Sequence, residues 1–313
     1  VIGGRQVGFD AASFYASSDT RVAFTGEDLT TGGVASGLAQ IRFQDNGGVF
    51  QSFTAALALG EGRHMLGYQG QDNVLNLEIL RSTTVLVDAT PPVTAVSMGA
   101  PTFTAVDGTI YITPATPVAF SADDPSLPSG EPGSGVDRIE ISVDGGIYAA
   151  VNAPLTFSEG VHTVRYRALD RVGNVEAARE LLLRSDATPP ASELAIGVPS
   201  FQLSSTTVLV SSMTPLSIAA QDPTVNGVAS GVSETFYRVF GVSPSTATFQ
   251  VFTASFSLSG ADTTSFIEFY SRDQVLNTQP VRSRTLLLDS MRPQALIDSP
   301  HGGNGICSVV KGK

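Results

Sequence analysis

Lysine is nearly missing from this 313-residue chain, which carries it only at Lys311 and Lys313. Positive charge therefore rests on arginine, and 18 Lys and Arg against 29 Asp and Glu leave a net charge of −11. That balance disfavours nucleic acid and anionic membranes as partners, because both are held by cationic patches. Cysteine occurs once, at Cys307, which removes any internal disulfide and any cysteine-rich zinc site. Three histidines, His64, His162 and His301, are too few for most metal or acid–base constellations. No apolar run approaches the roughly 18 residues of a spanning helix, so this segment is expected to insert in no membrane. Helical periodicity is missing as well.

What is present is enough for ordinary cores: 42% apolar residues and only 15% charged ones, which argues against wholesale disorder. The organising feature is a repeat. Asp170-x-x-Gly173-Asn174 is followed by Asp186-Ala187-Thr188-Pro189-Pro190. The same pair recurs as Asp72 to Asn76 with Asp88 to Pro92, and as Asp273 to Asn277 with Asp289 to Pro293. The first two copies are 98 positions apart and the last two 103. Three domains are expected, over 1–92, 93–190 and 191–293, with 294–313 as the truncated start of a fourth module, like a slice of a longer array.

Within each copy, short runs of β-formers alternate with Gly, Asp, Asn and Ser clusters. Asp45-Asn46-Gly47-Gly48 and Asp144-Gly145-Gly146 are hairpin signals, since Asn and Gly tolerate positive φ. In the run from His162 to Leu169, His162, Val164, Tyr166 and Ala168 alternate with Thr163, Arg165 and Arg167, predicting one buried and one wet face. Seven or eight such strands per copy predict an all-β chain of three tandem Ig-like β-sandwiches in an extended array, stiffened by Pro91-Pro92 and Pro189-Pro190.

The motif pair, with Ser134-Gly135-Val136 and Val143-Asp144-Gly145-Gly146 between Asp88–Pro92 and Asp170–Asn174, resembles bacterial Ig-like repeats of large surface proteins and adhesins. The second copy matches best; Leu75 and Leu276 replace the loop glycine in the other two. The resemblance implies an exported, extracellular or cell-surface stalk or adhesin. Calcium at domain junctions is known in some such families.

A further aspartate recurs before a Ser-Gly turn, as Asp28, Asp124 and Asp222. In an Ig-like topology the loops carrying Asp124 and Asp170 lie at the end where the chain comes in, and the last strand delivers Asp88 to the same place. One junction is expected to gather Asp88, Asp123, Asp124 and Asp170, and the next Asp186, Asp222 and Asp273. Calcium takes six to eight oxygens in irregular geometry, and these carboxylates with Asn174 or Asn277 are the candidate ligands. Aspartate also opens turns by bonding its own backbone, and both readings stand at this point.

Chemistry beyond that is thin. His64 and His162 hold equivalent strand positions within an apolar alternation, and no nucleophile is marked beside them. Gly32-Gly33 and Gly302-Gly303 lack the Walker spacing and its lysine. The chain is therefore expected to be no enzyme but a structural or adhesive segment that meets neighbouring domains, another copy of itself, or a host or glycan surface. The alternative is a carbohydrate-binding accessory region of a secreted glycan-active enzyme. Tyr148, Phe236, Tyr237, Phe240 and Phe249 would line its sugar face, and coplanar exposed aromatics on one sheet would favour it.

Overall fold

The computed structural model describes residues 5–8, 13–30, 32–241 and 247–296. Cys307, His301 and the expected start of a fourth module beyond Leu296 lie outside the described residues. The secondary structure is all β. The first copy gives β1 (Gln6–Gly8), β2 (Ser13–Ser17), β3 (Arg21–Val22), β4 (Leu38–Asp45), β5 (Gln51–Ser52), β6 (Leu57–Ala58), β7 (Gly62–Asp72) and β8 (Arg81–Asp88). The second gives β9 (Val93–Met98), β10 (Thr102–Thr104), β11 (Ile110–Ile112), β12 (Val118–Asp123), β13 (Val136–Val143), β14 (Ala149–Ala150), β15 (Gly160–Asp170) and β16 (Arg179–Ser185). The third gives β17 (Ala191–Ile196), β18 (Ser200–Gln202), β19 (Thr207–Val210), β20 (Leu216–Gln221), β21 (Val232–Phe240), β22 (Gln250–Val251), β23 (Thr263–Asp273) and β24 (Arg282–Leu288).

Among the described residues these strands form one six-stranded sheet per copy, with the same order each time: β1-β2-β8-β7-β4-β5, β10-β11-β16-β15-β13-β14 and β18-β19-β24-β23-β21-β22. One pair in each sheet is parallel, β2 with β8, β11 with β16 and β19 with β24. A smaller two-stranded sheet accompanies each, β3-β6, β9-β12 and β17-β20. The architecture is a tandem series of Ig-like sandwiches.

The chain divides into two compact units, Val1–Ala187 with Val225–Val228, and Thr188–Thr224 with Ala229–Lys313. The first unit holds the first two sandwiches. Their separate cores are Ala16, Val22, Leu66, Val85 and Val87, and Ile112, Val118, Phe157, Val164 and Leu183. A third apolar cluster, Tyr15 and Leu86 with Leu127 and Val172, joins the two sandwiches. In the second unit Val210, Leu216, Ile218, Leu258, Ile267, Phe269, Leu286 and Leu288 form the core.

The alternation expected from His162 onward is present: Val164, Tyr166 and Ala168 are buried, while Arg165 is exposed. Both hairpins also have the positive φ that their sequences favour, at Asn46 and Gly47 and at Asp144 and Gly145. The residues after each proline pair behave otherwise than a spacer. β9 opens at Val93, directly after Pro92, and runs antiparallel to β12 from Val93 opposite Asp123 to Met98 opposite Val118. β17 opens in the same way at Ala191. Alanine, serine or threonine fills half of each of these strands, which makes them weakly apolar and hides their period. The covalent link inside the first unit is therefore only residues 89–92.

Ile267 is fully buried at the centre of the second unit. Ile267→Ala leaves a cavity and is expected to cost about 2–5 kcal/mol. Urea unfolding should show the loss in the second unit's transition, with that of the first unit in place.

Candidate metal centre at the junction of the first unit

Each sandwich builds the same pair of loops from the same bonds. The glycine of the Ser-Gly turn sits at φ +87 in Gly37, +88 in Gly135 and +89 in Gly231. That left-handed backbone, open to glycine at little cost, lets one residue clamp two loops. Its N–H donates to the aspartate before the turn: Gly37 to Asp28 Oδ2 at 2.9 Å, Gly135 to Asp124 Oδ2 at 2.6 Å, Gly231 to Asp222 Oδ2 at 2.7 Å. Its carbonyl accepts from the residue after the second aspartate, namely Asn73, Arg171 and Gln274.

The second aspartate folds its own loop. Asp170 Oδ1 accepts from Gly173 N at 2.6 Å and Asn174 N at 2.8 Å, and Oδ2 accepts from Asn174 Nδ2 at 2.6 Å. Asp72 with Asn76, and Asp273 with Asn277, make the corresponding bonds. Leu75 and Leu276 adopt φ 72 and 70 at the position of Gly173, a strain of about 1–2 kcal/mol for a side-chain-bearing residue. Aspartate–asparagine bonding holds that turn where glycine is missing. The turn-forming reading of these residues is thus correct as far as it goes.

In the first unit the trailing end of one sandwich meets this pair of loops in the next. Asp88, the last residue of β8, is wholly buried. Its Oδ2 accepts from Ser134 N at 2.7 Å and its Oδ1 from Thr90 N at 3.2 Å. Its carbonyl accepts from Asn174 Nδ2 at 3.0 Å. Tyr15 donates from its hydroxyl to Pro132 O at 2.9 Å, and Arg63 N donates to Ser129 Oγ at 3.0 Å. Arg63 also lies 3.6 Å from Glu131. The apolar cluster of Tyr15, Leu86, Leu127 and Val172 seals this contact on one side.

The result is a group of three carboxylates. One ligand oxygen from each of Asp88, Asp124 and Asp170 lies within 4.8 Å of the others. Asp124 Oδ1 is buried with no hydrogen-bond partner. Desolvation, followed by the charges of Asp88, Asp170 and Asp123, pushes the Asp124 carboxyl up to about 6 against the pull of its bond from Gly135. Asp170 is raised too, chiefly by burial. Clustered hard oxygens with one buried lone-pair face unused suit a hard divalent cation such as Ca²⁺.

Asp123, expected in the same group, is exposed on β12 and stands outside it. Asp123 is the last residue of β12, paired with Val93, while Asp124 lies past the strand end, where the chain turns toward Gly135. The expectation that Asn174 and Asn277 offer oxygens also changes, because each turns its amide nitrogen to an aspartate. Of the second expected group, Asp186 belongs to the first unit, where it is buried and its N–H donates to Ile112 O at 2.8 Å. Asp222 and Asp273 belong to the second unit, where ligand oxygens of the two come within 4.8 Å. Leu127, Val172 and Tyr15 were the functional residues without a motif; the repeat register of Val172 with Val74 was the one available signal.

His64 and His162 are struts. His64 Nδ1 lies 2.7 Å from Asp45 Oδ2 and Nε2 2.9 Å from Gly60 O, and His162 repeats this with Asp144 and Ser158 O. Each ties a hairpin aspartate to its neighbouring loop. The candidate sugar-facing aromatics divide by strand alternation. Tyr237 packs inward, stacked 4.5 Å from Phe256. Phe236 and Phe240 face the other way, stacked on Tyr270 at 4.9 Å and Phe266 at 5.5 Å. Phe249 meets the edge of Tyr270, and the guanidinium groups of Arg238 and Arg272 lie over these rings. Tyr148 lies under Arg167.

No known family's sequence model matches the chain, and no curated protein does. Solved structures are similar at low identity. The fibronectin(III)-like modules of Clostridium thermocellum CbhA share 12% identity over 59% of this chain and 94% of theirs, with a TM-score of 0.30. The FN1–FN3 domains of chicken CNTN1 share 10% over 80% of this chain and 90% of theirs, also at 0.30. The glucan-utilisation protein SGBP-B of Bacteroides ovatus, solved with a mixed-linkage heptasaccharide, shares 12% over 96% of this chain and 73% of its own, at 0.18. Among the described residues no helix is long and apolar enough to cross a membrane.

The raised Asp124 carboxyl has a defined pH signature. The folded state holds this proton more tightly than the unfolded chain, so its contribution to stability is present below about pH 4 and is lost as pH rises through about 6. Without added divalent ion, the melting temperature of the parent protein minus that of Asp124→Asn should therefore fall between pH 4 and 7. A flat difference across that range would remove the assignment.

Proposed function

We propose that this chain is a structural segment of an exported bacterial multidomain protein, a stalk whose Ig-like sandwiches hold a specific module away from a surface. What supports this reading is the junction inside the first unit. Two sandwiches joined by only residues 89–92 share a buried aspartate, a buried apolar cluster and hydrogen bonds donated in both directions. Linkers of independent domains carry few such contacts. A continuous interface transmits orientation and force, which is what a spacer requires.

The proposed cement is a divalent cation, calcium by ligand type, held by Asp88, Asp124 and Asp170. It would relieve the mutual repulsion of three carboxylates in a low-dielectric pocket. Asp222 and Asp273 offer a second, partial set of oxygens in the other unit. Asp123 takes no part.

A second reading keeps one specific support. On the third sandwich Phe236 stacks on Tyr270 and Phe240 on Phe266, an aromatic face of the kind a glycan-binding accessory region would use. The arginines over these rings count against it, since they occupy the faces a sugar would stack on. Affinity electrophoresis against soluble glycans separates the two readings.

The test of the first reading is thermal. At free calcium about a hundred times its dissociation constant, one site adds about 2.7 kcal/mol, a rise of about 5–11 °C for a unit of this size. Asp170→Asn should abolish the increment, and chelation should return the parent to its ion-free melting temperature. An unchanged melting temperature in calcium and in chelator, at neutral pH, would discard the cation while leaving the interlocked junction to be judged by the pair Leu127→Ala and Val172→Ala.

A further inference from the structure

β9 and β17 follow the proline pairs directly, and among the described residues each has a single ladder partner, β12 and β20. Few of their side chains reach a core: Val96 and Met98 from β9, Leu194 and Ile196 from β17. Polar groups fasten them at the second residue. Thr94 donates from its N–H to Glu176 Oε1 at 3.0 Å and from its hydroxyl to Glu176 Oε2. Its carbonyl accepts from Arg179 Nη1 at 2.7 Å. The N–H and C=O of one strand residue point to the same side, so Glu176 and Arg179 together grip the edge that β12 leaves free. Thr94 is buried beneath them.

The third sandwich repeats this clasp with other residues. The hydroxyl of buried Ser192 donates to Gln279 Oε1 at 2.6 Å, and its carbonyl accepts from Arg282 Nη1 at 2.8 Å. Glu176-x-x-Arg179 and Gln279-x-x-Arg282 stand at the same distance behind Asp170–Asn174 and Asp273–Asn277. Each clasp is anchored to the preceding long strand. Glu176 N donates to Ala168 O and Gln279 N to Ser271 O, and Glu176 Oε2 also accepts from Ala168 N at 3.0 Å. The side chains differ between the two sandwiches while the connection is kept.

The position of the arginine sets this clasp apart from the other polar pairs of the surface. Arg179 opens β16, and Ser185 closes that strand one residue before Asp186. Arg282 opens β24, which ends at Leu288 just before Asp289. Both strands are hydrogen-bonded on two sides, β16 to β11 and β15, β24 to β19 and β23. A pull that arrives along residues 89–92 enters the second sandwich at Val93 and meets the clasp one residue later. The clasp hands it to the head of the strand whose far end leaves the sandwich.

We infer that the clasp carries tension across its sandwich. Glu176 with Arg179, and Gln279 with Arg282, tie the incoming strand to the outgoing one, so that β16 and β24 act as tendons. The inference takes its purpose from the stalk reading and its residues from these bonds. Without the clasp, a pull on Val93 runs down β9 into its ladder of six pairs with β12. With the clasp, the bonds of Thr94 are strained together with that ladder, and bonds strained together resist more than bonds broken in turn. Arg179 and Arg282 remain 53% and 41% exposed. At rest such solvent-screened groups add little to stability, so the contribution of the clasp shows under load.

The test holds the full chain by its two termini at constant force and times the unfolding of each sandwich. Arg179→Ala and Arg282→Ala remove the charged donor and leave the cores in place. Each should shorten the lifetime of one unfolding event at least about tenfold, because charge-assisted bonds broken before the transition state act on the unfolding rate. The two combined should shorten two events. Urea unfolding of the same variants, with no force applied, should speed up by a smaller factor. Arg165→Ala removes an exposed pair with Glu180 at 3.0 Å that lies off this path, and it should leave every lifetime under force unchanged. Equal factors with and without force make the clasp an ordinary structural contact and overturn the inference. Lifetimes that Arg179→Ala and Arg282→Ala leave unchanged overturn it too, as does an Arg165→Ala effect of the same size. Neither the calcium melting experiment nor the pair Leu127→Ala and Val172→Ala involves these residues, so the two readings fail separately.

Discussion

A carboxylate at the end of a β-strand has no reason to be dry unless something is built over it. Asp88 closes β8 at zero exposure, and burying an unpaired charge costs several kcal/mol. Within the first sandwich, among the described residues, its side chain has the Thr90 N–H alone. The bond that makes burial tolerable comes from Ser134 of the second sandwich, and Asn174 binds the carbonyl of the same residue. Tyr15, Leu86, Leu127 and Val172 then exclude water from one side of it. Each element depends on the others: without the apolar seal the hydrogen bonds compete with solvent, and without the bonds the seal encloses an uncompensated charge.

The same seal produces the tension that sets the chemistry of the junction. Excluding water strengthens the bond between Ser134 N–H and Asp88, and it strengthens equally the repulsion among Asp88, Asp124 and Asp170. Hydrogen bonds satisfy most of the oxygens, yet Asp124 Oδ1 has none, and its carboxyl is pushed to about 6. The pocket can answer with a proton or with a cation. Either one relieves the repulsion, so under the proposed reading the aspartates that form the turns would also hold the ion.

Much of this could be read from residue order alone, and the parts that could not share a physical cause. The spacing of Asp72, Asp170 and Asp273 exposed three copies, since a loop closed by its own aspartate and asparagine must keep both at fixed separation. Strand topology then brought Asp88, Asp124 and Asp170 together from far apart in the chain. Strands β9 and β17 escaped notice because alanine, serine and threonine blur the alternation, and a proline pair before them suggested a spacer. Asp123 was misplaced by taking two neighbours as one site. Leu127, Val172 and Tyr15 were invisible for a different reason. An apolar side chain in a loop has no local signature, and its burial depends on a surface a domain away.

Sandwiches of one topology in series need a way to keep their order. A buried charge adds little net stability compared with a well-packed apolar contact, but it penalises wrong partners severely. A surface that covered Tyr15 and Leu86 without offering an N–H where Ser134 stands would strand Asp88 in a dry site. The apolar row therefore supplies the attraction and the aspartate supplies the discrimination. The row varies between copies, with Tyr15 and Leu86 in the first, Tyr111 and Arg184 in the second and Leu209 and Leu287 in the third. The aspartate recurs in all three. Attraction can therefore vary in strength from one trailing end to the next while the aspartate stays the same.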